Sequence, residues 1–199
     1  MFCRKRPPLL VPLVTITAVF LSACPAKQDK QAPSASAPAP RAFELQPPRG
    51  YHETEAAPPL AGVWQAATQK NGFTPTLNVA RRALPAGTPE QIYVTWRDEL
   101  LGVLNQRYQE VKILDERPFH AGAQTGKLII LVVTVPRPAG QANEKLPMPL
   151  FSYGAALLTD DALWELGAFA PADLDARTGR ITPAGEAEIL SALASFRVR

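Results

Sequence analysis

A handful of residues in this chain have the types that do chemistry, and their spacing decides what each can do. His52 and His120 are the only histidines among 199 residues, and they lie far apart in sequence. The two cysteines, Cys3 and Cys24, both stand near the start, so the usual His and Cys ligand set of a zinc site is not expected. Ser152 sits in Phe-Ser-Tyr-Gly-Ala, without the Gly-x-Ser-x-Gly elbow that exposes a nucleophilic hydroxyl. Asp160 and Asp161 are adjacent in a turn-like Thr-Asp-Asp, where neighbouring carboxylates point different ways and make a poor acid and base pair. Gly122 to Lys127 has the look of a phosphate loop, but only three residues separate Gly122 from Gly126, and Leu128 stands where Ser or Thr would hold magnesium. It also leads into a strand, whereas phosphate binding uses a helix N-terminus. Asp173 and Asp175 have calcium-loop spacing, yet Gly179 comes one place late and Ala184 occupies the bidentate carboxylate position. No catalytic residue, metal site or cofactor site is expected from these patterns.

Cys24 is set apart by what precedes it. Arg4, Lys5 and Arg6 are followed by an apolar run from Leu9 to Phe20 and then by Ser22 and Ala23, the order of a secretory signal. The run contains Pro12 and is well short of the roughly 20 residues that span a bilayer as a helix. Leu21-Ser22-Ala23-Cys24 resembles the lipobox of bacterial lipoproteins at every position. The resemblance implies a diacylglyceryl thioether on Cys24, cleavage just before it, and acylation of the new amino group by palmitate or a similar chain. Several acyl chains anchor a protein stably where one binds marginally. Pro25 follows the cysteine, in place of the Asp that favours inner-membrane retention in such lipoproteins, which implies the periplasmic face of the outer membrane.

Loss of this leader changes the charge balance. The full chain has 21 basic and 18 acidic side chains and a pI near 9.0, but Arg4, Lys5 and Arg6 would leave with residues 1–23. The mature chain is then close to neutral, which removes the case for nucleic acid as a partner. Cys3 leaves too and Cys24 takes the lipid, so no disulfide is expected within the mature chain. Residues 24–56 are rich in Pro, Ala, Ser and Gln, with few large apolar side chains before Phe43 and Leu45. Such a stretch buries too little surface to offset its ordering entropy and is expected to be a disordered tether, reaching several tens of ångströms at about 3 Å per residue. Residues 57–199 have the composition of one globular domain.

Within that domain, Gly62–Thr68 and Thr76–Leu84 read as strands, the second placing Leu77, Val79 and Arg81 on one face and Asn78 and Ala80 on the other. Thr88, Pro89 and Gln91 spell a capping box with Pro at the first helical position. Ile92, Trp96, Leu100, Val103 and Leu104 then form a helical stripe that places Trp96 in the core. Tyr108–Phe119 reads as a strand, and His120–Gly126 as a turn. Lys127–Val135 is apolar on both faces, as in a strand in the middle of a sheet covered twice. Pro149–Leu158 and Ala162–Ala170 flank a hairpin turn, with Trp164 alternating with Leu166 and free to face core or partner. Thr182 and Pro183 repeat the helix-start pattern ahead of a stripe of Ile189, Leu193 and Phe196. Consecutive strands between two long helices favour an α+β architecture, a layered α/β/α sandwich with a largely antiparallel sheet.

Phe73-x-Pro75-x-x-Asn78-Val79, the long helix after it, the Thr-Gly-Lys turn, the hairpin and the closing Ser195-Phe196 pair are similar in order and spacing to the PsbP-like sandwich family, which includes DcrB-like and LpqN-like lipoproteins. The resemblance runs over roughly Val63 to Val198 and implies a binding or accessory domain without a shared catalytic centre. The expected function is that of a membrane-anchored periplasmic accessory or scaffold lipoprotein that binds another protein and is not an enzyme. An immunity lipoprotein against a periplasm-acting toxin and an envelope-acting enzyme are the alternatives. Large aromatics such as Trp64, Trp96 and Trp164 are the side chains that dominate interfaces, but nothing in the sequence marks a partner surface.

Overall fold

Two periodicities, one of two residues and one of 3.6, divide the apolar side chains of this protein between two cores. The structure, a computed structural model, describes residues 42–70, 73–135, 149–174 and 181–199. In chain order the elements are β1 (Phe43–Glu44), β2 (Tyr51–Thr54), β3 (Leu60–Ala66), β4 (Thr76–Ala83), α1 (Pro89–Arg107), β5 (Glu110–Ala121), β6 (Gln124–Thr134), β7 (Pro149–Leu158), β8 (Ala162–Leu174), β9 (Ile181–Pro183), α2 (Glu186–Ala194) and β10 (Arg197–Val198). The main sheet runs β2-β3-β4-β8-β7-β6-β5, with β9 added beside β8 and a separate β1-β10 ladder. Every pairing between these strands is antiparallel.

Along β6, Leu128 and Ile130 enter the core that holds α2, while Ile129, Leu131 and Val133 enter the core that holds α1. Side chains of a strand alternate between its faces, so an unbroken apolar run must be covered twice. The α+β layered sandwich expected from the sequence is present, with α1 on one face and α2 on the other. β6 itself lies one place in from the β5 edge, not at the centre of the sheet.

The capping box of α1 forms as its residues require. Thr88 Oγ1 accepts from the Gln91 backbone N–H, and Gln91 Oε1 accepts from the Thr88 backbone N–H at 2.9 Å. Ile92, Trp96 and Leu104 are buried, and Leu100 packs beside them. The helix comes close to the sheet because Gly154 lies beneath it: a Cβ there would stand 3.0 Å from Leu100 Cδ2 and 3.4 Å from Trp96 Cζ2. Gly154 pairs across the ladder with Gly167, and the place of a Cβ on Gly167 is taken by the Asn78 side chain, with Oδ1 2.5 Å away. Asn78, from the Phe-x-Pro-x-x-Asn-Val segment, therefore covers bare backbone.

Two expectations are corrected. Thr182 and Pro183 do not start the last helix; they belong to β9, in register with Asp173 and Ala172. Pairing with β8 claims them as strand, and α2 starts only after Gly185, whose φ of 68° makes an N-cap without a side-chain hydrogen bond. This leaves a helix of nine residues, with Glu186 and Glu188 in its first turn, where negative charge suits the helix dipole. The folded unit also starts well before residue 57. Residues 43–44 and 51–54 are strands, and Phe43 is only 4% exposed. Phe43 forms its strand against Val198 at the opposite end of the chain, a pairing that leaves no trace in local composition.

Candidate functional site

The side chains singled out for chemistry are dispersed. His52 and His120 are exposed on β2 and β5, the two end strands of the sheet path. Ser152 is buried within β7. Asp161 is engaged by Arg81 at 2.6 Å and by the Thr159 hydroxyl at 3.0 Å; these contacts, Thr159's first, hold its carboxyl below the usual range despite some desolvation. Gly122 has a φ of 61° in the tight turn between β5 and β6, and Lys127 and Leu128 belong to β6, so this segment is the hairpin its spacing suggested. Asp173 is ion-paired with Lys70. Cys24, Asp175 and Gly179 lie outside the described residues. Among the described residues, no group of three or more His, Cys, Asp or Glu side chains gathers as metal ligands, and no helix is long and apolar enough to cross a membrane.

Two clusters do form. The first is electrostatic and ties α1 to the sheet. Arg82 on β4 donates to Glu99 of α1 at 2.9 Å and to Glu165 of β8 at 2.8 Å. Arg97 of α1 is bonded to Asp98 and lies 3.7 Å from Glu116 of β5. Burial raises the Glu165 carboxyl above its ordinary value; Arg82 opposes that shift and Glu99 adds to it. The Arg82 guanidinium bridges two carboxylates that come from α1 and β8, so this cluster fastens the helix to the sheet.

The second cluster is aromatic and closes the α2 core. The Phe43 ring stacks on Phe196 with centroids 5.7 Å apart and meets Trp164 and Trp64 edge-on at 5.6 and 6.3 Å. Trp164 lies 5.3 Å from Phe196, and the Arg81 guanidinium sits 5.8 Å from the Trp164 ring centroid, within cation–π range. Trp64, Trp96 and Trp164 are all buried, so all three serve the core. Trp164 Nε1 and Tyr153 Oη are buried without a hydrogen-bond partner, and burial, with the nearby Glu186 carboxylate, raises the Tyr153 phenol above its usual value. Beside this cluster, a cleft of about 380 Å³ separates Gln46–Arg49 from Ala187, Glu188 and Ser191 of α2.

The sequence reading missed Phe43, Leu45 and Glu44. Phe43 and Leu45 are the first large apolar side chains after the Pro- and Ala-rich stretch, the one local sign that folding begins there. Glu44 Oε1 accepts from the Arg199 guanidinium at 2.9 Å, the Gln46 backbone N–H donates to Ser195 Oγ at 2.8 Å, and the Arg199 backbone N–H donates to the Ala42 carbonyl at 2.9 Å. Residues 42–46 are thus held by residues 195–199.

Among solved structures, the chain is similar to that of cyanobacterial PsbP (CyanoP) from Synechocystis sp. PCC 6803, with 10% sequence identity, a TM-score of 0.47, and coverage of 84% of this chain and 98% of that one. No family model matches the chain. No curated protein matches it.

Proposed function

We propose that this protein is a lipid-anchored accessory protein of the bacterial envelope that binds another protein and performs no catalysis itself. The observation that carries the reading is Leu21-Ser22-Ala23-Cys24, placed directly after a basic and then apolar leader. Cys24 would take the lipid through its thiol, and Pro25 in place of Asp points to the outer membrane. The α+β sandwich fold is compatible with an accessory protein that performs no catalysis.

The test is crosslinking and mass spectrometry on the full chain in its own envelope, beside a Cys24→Ala variant. One abundant protein partner, captured by the unsubstituted chain and lost in the variant, is expected. Equal capture by both would show that the anchor does not place the protein, and no partner in either would remove the binding reading.

A further inference from the structure

β5 ends the main sheet: β6 pairs with one of its edges, and among the described residues no strand pairs with the other. Such an edge is a row of N–H and C=O groups open to another strand. Charge, proline and a bulge commonly blunt an edge, and β5 has all three, but their positions leave a stretch that can pair. Pro118 has no N–H to give, so pairing stops at Arg117 and the usable edge is Glu110–Arg117. At its centre Ile113 and Leu114 are 41% and 47% exposed. The bulge, a slip in the register with β6 between Ile113 and Asp115, decides which side chains share a face. In an unbroken strand Val111 and Glu116 would lie on opposite faces, their separation being odd. Here both lie on the α1 side: Val111 packs in the α1 core, and Glu116 is 3.7 Å from Arg97 of α1. By alternation Glu110 and Lys112 take the α2 side, as do Asp115 and Arg117, in step with Phe119 and Ala121 of the α2 core.

We propose that two copies of this chain pair along β5, antiparallel about a two-fold axis at Ile113 and Leu114, and join their sheets into one. In that register Lys112 of each copy faces Asp115 of the other, Glu110 faces Arg117, and Ile113 faces Leu114. Directly opposed residues of an antiparallel pair share a face. Lys112 and Asp115 do so only because of the bulge, as do Glu110 and Arg117, and both pairs are of opposite charge. The order of charges and the position of the bulge therefore specify the same occupant, a second β5. Asp115 also bonds Arg117 of its own chain at 3.0 Å, so in the dimer its carboxylate lies between that guanidinium and the Lys112 ammonium of the other copy. The same surface meets itself, so the contact closes at two copies and does not build fibres. It needs neither a lipid at Cys24 nor a different protein partner.

The test uses two variants of the full chain in detergent, Lys112→Glu and Asp115→Lys. Alone, each sets like charges opposite one another on both sides of the axis; mixed in equal amounts, they restore opposite charges on both. By sedimentation velocity the unsubstituted chain is expected to form a dimer whose share rises with concentration. Each variant alone should dimerise on the order of tenfold more weakly, and the mixture should regain the parent's dimer. An unsubstituted chain that stays monomeric at every concentration overturns the proposal, and so does a dimer that both variants keep at the parent's strength. A second reading fixes the register without reversing charge: Lys112→Cys and Asp115→Cys chains are mixed and oxidised. Cα atoms of antiparallel partners lie about 4.5–5.5 Å apart, within disulfide range. A disulfide between position 112 of one chain and position 115 of the other is expected, and its absence overturns the proposed pairing.

Discussion

On one face of the sheet the core is closed by α1, whose cap and apolar stripe come from a continuous stretch between Thr88 and Arg107. On the other face it is closed by α2, a helix of nine residues, together with Phe43 from near the start of the fold and Phe196 and Val198 from its end. The first closure is local and carries its own start and stop signals. The second is assembled from distant pieces, among them the strap Ala42–Leu45 that completes it. A change in Ala42–Leu45 therefore acts first on the α2 core, where Phe43 and Leu45 pack.

The sharpest way to break this comparison is Phe43→Ala, which empties the centre of the aromatic cage. Large-to-small changes at buried phenylalanines cost about 3–5 kcal/mol, and the urea midpoint should fall accordingly. A loss of well under 1 kcal/mol would show that the strap only rests on the domain. Next in size is Gly167→Ala, which drives a methyl group into Asn78 and should cost about 1–3 kcal/mol, as overpacking does. Adding Asn78→Ala should recover part of that loss, a coupling that a double-mutant cycle measures.

Smaller effects separate the two Thr-Pro pairs. Thr88→Ala removes a working cap and should cost roughly 1 kcal/mol. Thr182→Ala, on a strand, should stay within about 0.5 kcal/mol of the parent. A gentler probe is acid titration of the α1 face. Glu165 holds its proton more tightly folded than unfolded, so folding takes up a proton between the ordinary glutamate value and the raised one. Its contribution to stability therefore falls as pH rises through that window. Urea midpoints across the window should decline less steeply in Glu165→Gln than in the parent, and parallel profiles would contradict the assignment.

What the sequence disclosed follows the same division. The capping box, the Trp96 stripe and the twice-covered Lys127–Val135 strand were legible because helix and strand periodicities are local properties, although that strand lies next to the β5 edge and not in the middle of the sheet. The Thr182-Pro183 start failed because a tertiary pairing with β8 overrode a local helix signal. Phe43 was read as tether because its neighbours are Pro, Ala and Gln, and its burial depends on residues 64, 164 and 196. Of the candidate chemistry, spacing alone dismissed the phosphate-loop likeness, and the hairpin at Gly122 agrees. The cage escaped notice because four aromatic rings brought together from distant positions share no motif.

The central claim, a lipid anchor at Cys24, is tested most directly by the intact mass of the protein extracted from bacterial membranes. A chain that begins at Cys24 and carries a diacylglyceryl group with a further acyl chain is expected, with the lipid absent from the Cys24→Ala variant. A protein that begins elsewhere, or one that begins at Cys24 with an unmodified thiol, would contradict it.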